Sequence, residues 1–224
     1  MPTYDAVLLD LYDTLVWSDW LAWQHTLAER LGITPQAMGE VFTVTRPARS
    51  KGENADENAD MAAIVEAAGH APDPDLVAEL IALEGEMMRD RVHLYDDSLD
   101  VVRGLRARGV KTALVSNCSY NTVPIVERLG LEAEFDAVIL SFAVRSMKPE
   151  PEIYRLALEA LGDPDPSRAV FVDDQVVYCD GAKAVGLDTY LIFRPEEAME
   201  GRPANTNGHR IIEDLRPLIA ETLG

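Results

Sequence analysis

Cysteine is scarce in this chain. Two occur in 224 residues, Cys118 and Cys179, and neither sits in a paired metal-binding spacing, which sets aside a structural zinc and a disulfide framework. Long apolar runs are missing, and Met1-Pro2-Thr3-Tyr4-Asp5 has neither the basic nor the apolar region of a signal peptide, so no membrane partner and a reducing, cytoplasmic location are expected. Positive charge is also in short supply. Twenty Lys and Arg against 39 Asp and Glu leave a formal charge of −19, which argues against nucleic acid or an anionic membrane surface as the main partner. The acidic excess reads first as a solvated surface, so any demand for a cation has to come from particular residues. No internal repeat or low-complexity tract is evident.

What is present is an apolar run ending abruptly in polar groups: Ala6-Val7-Leu8-Leu9, then Asp10-Leu11-Tyr12-Asp13-Thr14. A run of strand length closed this way reads as a buried parallel strand, and open α/β sheets bind ligands beyond the carboxyl ends of such strands. From Trp17 to about His93 the pattern is helical, with helices at Trp20–Leu31, Pro35–Val44, Asn58–Ala68 and Pro74–Arg91 and no strand-like run between them. Arg46 to Asn54 is polar and breaker-rich, as a loop would be.

From Ser98 helices and strands alternate. Strands are expected at Val110–Val115, Phe135–Leu140, Ala169–Val172, Thr189–Phe193 and Ile211-Ile212. Helices fall at Leu99–Arg108, Asn121–Leu129, Pro151–Leu161, Gly181–Val185 and Leu215–Leu223, with a polar loop at Pro195–Gly208. This rhythm implies a parallel sheet covered on both faces. Three of the apolar runs end in hydroxyl, amide or carboxylate groups: Asp10 to Thr14, Ser116-Asn117 and Asp173-Asp174. One such cluster alone is a helix cap by default; three at one sheet edge suggest a site.

These clusters, with Lys148 in Ser146-Met147-Lys148-Pro149 and the helical stretch after the first of them, resemble the haloacid dehalogenase superfamily of aspartyl-nucleophile hydrolases over nearly the whole chain. The resemblance implies an α/β fold, a Rossmann-like doubly wound parallel sheet from residues 1–16 and 94–224 with an inserted helical cap of the first type from 17–93. It implies hydrolysis through a covalent aspartyl intermediate, with Asp10 as nucleophile, Thr14 and Ser116 as hydroxyl donors to the transferring group, and Lys148 balancing charge. Asp10, Asp174 and Asp173, with a backbone carbonyl near Tyr12, are the candidate ligands for Mg2+, a hard cation that prefers oxygen.

The sequence departs from the phosphatase pattern at Tyr12, where those enzymes carry a second aspartate as general acid. Asp13 is expected to point to the opposite side and to serve the turn. Tyrosine resembles the metal-independent 2-haloacid dehalogenases, whereas Asp173-Asp174 resembles the magnesium-dependent phosphatases. Two adjacent carboxylates facing Asp10 without a cation would repel a substrate anion, so the acidic motif weighs more. Candidate substrate contacts are Tyr12, Asn117, Arg46 (with Arg49 next) and Trp17, while Trp20 and Trp23 read as core. Tyr178 reads as an aromatic packed at a helix start, and Asp180 as a helix-start charge. The leading expectation is a Mg2+-dependent phosphatase of a small phosphorylated metabolite. The alternatives are a 2-haloacid dehalogenase, or a weakly catalytic member of the fold that binds a phospho-ligand or a protein. Oligomeric state is left open.

Overall fold

A computed structural model describes residues 4–194 and 205–221. β1 (Ala6–Leu9), β4 (Lys111–Ser116), β5 (Ala137–Leu140), β6 (Ala169–Asp173), β7 (Asp188–Ile192) and β8 (Arg210–Ile212) form one sheet in the order β5-β4-β1-β6-β7-β8. Every pairing in it is parallel. The order reverses around β1, so the crevice at a topological switch point opens at the carboxyl ends of β4, β1 and β6.

The strands read as unbroken apolar runs because both faces are buried. Val7 and Leu9 face one core with Leu114, Val170 and Val172, and Ala6 and Leu8 face the other with Ala113, Val115 and Phe171. Helices α5 (Ser98–Arg106), α6 (Val123–Arg128), α7 (Leu131–Glu134) and α11 (Pro217–Glu221) contribute to the first side; α9 (Pro151–Ala160) and α10 (Val176–Ala184) cover the second; the short α8 (Ser141–Val144) follows β5. This is the doubly wound Rossmann-like fold expected. The expected loop over residues 195–204 and the last residues of the final helix, 222–223, lie outside the described residues.

Between β1 and β4 lie four long helices, α1 (Trp20–Arg30), α2 (Pro35–Ser50), α3 (Glu57–Ala67) and α4 (Pro74–Asp90). Two expectations fail here. The segment is not purely helical: β2 (Val16–Ser18) and β3 (Val92–Leu94) pair antiparallel where it leaves and rejoins the sheet domain. At three residues each, they are too short to show alternation. Nor does a loop begin at Arg46, because α2 runs through Pro47 to Ser50. Proline costs a helix one hydrogen bond, but Thr45 and Ser50 are buried on the inner face of this turn, and the packing prevails. The helix ends at Lys51 and Gly52. Gly52 has φ 58°, and a Cβ there would lie 2.2 Å from the Phe142 carbonyl oxygen, so only glycine fits that approach.

Candidate active site

Asp10 follows β1 directly. Its N–H donates to the Val172 carbonyl (3.0 Å), carrying the β1–β6 pairing one residue further. The chain then turns tightly: Leu15 and Val16 N–H groups both donate to the Leu11 carbonyl (2.9 Å), and Asp13 N–H donates to Val16 (2.7 Å). Asp13 has φ 59°, a left-handed conformation that aspartate tolerates better than most residues. Strand alternation therefore stops at Leu9, and Asp13, expected to point away, lines the same cavity as Tyr12.

Lys148 is the hub. Its Nζ donates to Asp10 Oδ1 (2.5 Å) and Asp173 Oδ2 (2.6 Å), and the side chain is 1% exposed. The Asn117 side chain clamps its backbone, Nδ2 donating to the Lys148 carbonyl (2.9 Å) and Oδ1 accepting from its N–H (2.7 Å). Asn117, expected to contact substrate, lines the cavity and at the same time places Lys148. Asp173 is likewise engaged at both oxygens, its Oδ1 accepting from Gln175 N–H (2.8 Å). Asp174 is not held by Lys148, yet carboxylate oxygens of Asp10, Asp173 and Asp174 all lie within 4.8 Å of one another.

Burial pushes Asp10 up to about 7, against the pull of the Lys148 charge, with Asp173 pushing the same way. Burial also raises Asp173 to about 7, Lys148 opposing it, and raises Asp174 to about 7 with help from the charges on Asp10 and Asp13. Burial alone would lower Lys148, but Asp10 and Asp173 outweigh it and hold the ammonium above its usual range. Lys148 thus pairs with two of the three carboxylates. This hard-oxygen donor set fits a divalent ion that keeps some of its waters, with Asp10 and Asp174 offering the uncommitted oxygens.

Two hydroxyls at this edge, Thr14 Oγ1 and Ser116 Oγ, are buried without a hydrogen-bond partner among the described residues. Orphaned buried donors are costly unless something else satisfies them, and an anionic group at the sheet edge would do so. The Tyr12 hydroxyl is not available in that way, because it is hydrogen-bonded to Thr122 Oγ1 (2.9 Å) and burial raises its pKa despite that bond.

A cavity of about 340 Å3 opens between the sheet edge and the helices. Arg46 lines it, but its Nη2 donates to the Tyr178 hydroxyl (3.0 Å). Tyr178 packs as expected and also places its ring 5.1 Å from Lys148 Nζ. Trp17 does not line the cavity; it stacks on His93 at the β2–β3 junction, 6.1 Å between ring centroids. Trp20 and Trp23 line it instead, and Trp20, expected in the core, is 44% exposed. Asp180 takes hydrogen bonds from Asn207 and His209, away from the cavity.

Spacing gave no sign of Arg194 and Asp97. They form a buried ion pair (2.7 Å), and the guanidinium also donates to the Thr14 carbonyl, pinning the loop that carries Tyr12 and Thr14. The only available cue was an arginine following the strand-like run Thr189–Phe193.

A buried Asp–Lys–Asp cluster thus sits at the carboxyl edge of a doubly wound sheet. The chain belongs to the haloacid dehalogenase-like hydrolase family, whose model matches residues 4–186. It is 40% identical over 97 residues to the haloacid dehalogenase-like hydrolase domain-containing protein 3 of Mus musculus, covering 42% of this chain and 38% of that one. It is 33% identical over 137 residues to the pyrophosphatase PpaX of Bacillus pumilus, covering 58% and 63%. The matched stretch thus spans about two fifths of the mouse relative's length and under two thirds of PpaX. In fold, the L-2-haloacid dehalogenase of Xanthobacter autotrophicus is similar, with TM-score 0.67 at 21% identity and 99% coverage of both chains. Among the described residues no helix is long and apolar enough to cross a membrane.

Proposed function

We propose that the chain is a magnesium-dependent phosphatase of a small phosphorylated metabolite, with Asp10 as nucleophile and the helices of residues 17–93 acting as a cap that closes over the site. The observation that carries this reading is Asp174, a third carboxylate within 4.8 Å of Asp10 and Asp173 that Lys148 does not neutralise. Without a divalent cation such an edge repels a phosphoryl group. The likeness to a named pyrophosphatase supports the same reading.

Lys148 holds Asp10 through a hydrogen bond to Oδ1, and the Asp10 carboxylate attacks phosphorus. The bond to phosphorus forms as the bond to the leaving oxygen breaks, and that oxygen departs with the electron pair. Water then attacks the phosphorus of the acyl phosphate, the bond from phosphorus to the Asp10 oxygen breaks, and phosphate leaves with the water's protons as the Asp10 carboxylate is restored. Thr14 and Ser116 hydroxyls, unpartnered in the structure, donate to the phosphoryl oxygens, where charge develops. Asp10 and Asp174 would hold magnesium, which would supply charge neutralisation for the nucleophile and the phosphoryl group. Asp173 positions Lys148 and leaves ligation to its neighbours.

Tyr12 is bonded to Thr122 and does not protonate the leaving oxygen. A missing general acid costs about 10²–10⁴-fold on poor leaving groups, so the favoured substrates are those whose leaving group is already a stable anion: aryl, enol or acyl phosphates, or a pyrophosphate. A second reading, metal-independent hydrolysis of a 2-haloacid, is favoured by Tyr12 and by the apolar cavity wall of Trp20, Trp23, Phe42 and Met87. The test is phosphate release from an aryl phosphate with magnesium or chelator, alongside chloride release from a 2-chloroacid, by wild type and Asp10→Asn. Phosphate release that needs both magnesium and Asp10 is expected. Chelator-resistant chloride release supports the second reading instead.

A further inference from the structure

The turn at residues 119–122, just past β4, is fastened to the helices of residues 17–93. The Tyr120 hydroxyl reaches the Asn54 and Ala55 carbonyls (3.2 Å each), and Asn121 Nδ2 donates to Glu84 Oε1 on α4 (2.8 Å). The Asn121 carbonyl oxygen accepts from Ser119 Oγ (3.0 Å) and Thr122 Oγ1 (3.4 Å), and Thr122 is bonded to Tyr12 (2.9 Å). A line of hydrogen bonds therefore runs from Glu84, on a helix of the cap, to the loop that follows Asp10.

Glu84 and Asp60 are each 5% exposed, and among the described residues neither forms an ion pair. Both line one void of about 10 Å3 with Glu57, Ser119 and Asn121, room for about one water. Asn54 occupies one Asp60 oxygen (2.8 Å), and the other is buried without a hydrogen-bond partner among the described residues. Arg49 on α2 is the one cation lining the void there, and its Nε donates to Thr45 instead. Glu57 on α3 and Asp56 at its start add negative charge, while Ser119, Asn121 and Tyr12 face the pair from the sheet domain. One guanidinium balances one carboxylate; a second buried carboxylate beside it keeps its proton.

From this geometry we infer that Glu84 is a positioning residue: protonated, it fastens the cap to the turn at 119–122, and ionised, it lets the cap go. A neutral Glu84 is buried at little cost and still accepts from Asn121. A carboxylate in its place, with Asp60 close by, is drawn towards water, and reaching water parts α4 from the turn. Thr122 then no longer holds Tyr12, so the loop after Asp10 loosens with the cap. The device serves either hydrolytic reading, because it sets access to the site and leaves the bond that breaks unspecified. Burial pushes Glu84 from 4.5 up to about 7 against the Asn121 hydrogen bond and the Arg49 charge, and burial raises Asp60 as well. The fastened junction thus binds a proton that the released one gives up. Fastening is strongest in acid, weakens by up to about tenfold per pH unit between those two values, and levels off above 7.

The test uses intrinsic fluorescence, because all three tryptophans lie within residues 17–23. Trp17 stacks on His93, so Trp17→Phe is the background, leaving Trp20 and Trp23 in the cavity wall. Acrylamide quenching is measured at pH 5.5 and pH 8, with circular dichroism to check the fold. The quenching constant is expected to rise about two- to five-fold from pH 5.5 to pH 8. Glu84→Gln, which mimics the protonated acid, is expected to keep the low value at both pH values. Asn121→Ala, which removes the fastening from the other side, is expected to give the high value at both. No rise in the background protein, an equal rise in Glu84→Gln, or a low value at both pH values in folded Asn121→Ala overturns the inference.

Discussion

At the sheet edge Lys148 is held by Asp10, Asp173 and the Asn117 clamp on its backbone, whereas across the cavity Arg49 keeps one hydrogen bond and an open fork. Arg49 lines the cavity, whereas Lys148 is buried and lies outside its lining. Lys148 is surrounded by groups that fix its position to within a hydrogen bond, as a step of bond making requires. Arg49 is left uncommitted on a helix, beside carboxylates it does not bond. In this account, chemistry belongs to strand ends that the sheet holds rigid, and access to it belongs to the helices laid over them.

The sharpest way to break this contrast is Asp10→Asn, which is expected to lower phosphate release by on the order of 10⁴-fold or more with the fold intact, as loss of a covalent nucleophile does; steady-state assay with circular dichroism checks it. Lys148→Met comes next. It leaves two buried carboxylates unpaired and is expected to cost about 3–5 kcal/mol of stability at neutral pH. That deficit shrinks in acid as Asp10 and Asp173 take up protons, so chemical denaturation at two pH values shows whether the cluster is held as described.

Glu84 probes the opposite side. Burial, opposed by the Asn121 hydrogen bond and the Arg49 charge, pushes its carboxyl from 4.5 up to about 7. The folded chain therefore binds a proton that the unfolded chain releases between those values, and stability from this group falls as pH rises through 7. Glu84→Gln is expected to match wild type near pH 5 and to exceed it at pH 8 by up to about 3 kcal/mol, read from thermal melts at both pH values. Tyr12→Phe is the mildest change. It removes the bond to Thr122 at a cost of about 0.5–1.5 kcal/mol and leaves kcat within a few-fold; a large fall in kcat would return Tyr12 to the chemistry.

Legibility in the sequence follows the same division. The sheet strands, Asp10, Ser116 and Asp173-Asp174 could be read because a buried strand is an apolar run, and its polar ending marks the edge; Lys148 follows no strand and was read only from the family resemblance. The helical wall offered no such punctuation. Proline and small polar residues around Arg46 suggested a loop, but buried Thr45 and Ser50 hold α2 together through Pro47. Trp17 was placed at the pocket because it follows the first motif, whereas the β2–β3 ribbon turns it onto His93. Asn117 lines the cavity, but nothing in the sequence shows that it also fixes the backbone of Lys148, 31 residues later. Long-range pairs such as Arg194 with Asp97 leave no local pattern at all.

The central claim is that the sheet edge carries charge which Lys148 alone does not balance. Calorimetric titration of magnesium into wild type and Asp174→Asn tests it most directly. The account predicts one site in wild type, greatly weakened or lost in Asp174→Asn and unchanged in Arg49→Met. Absence of magnesium binding in wild type, or binding indifferent to Asp174, would contradict it.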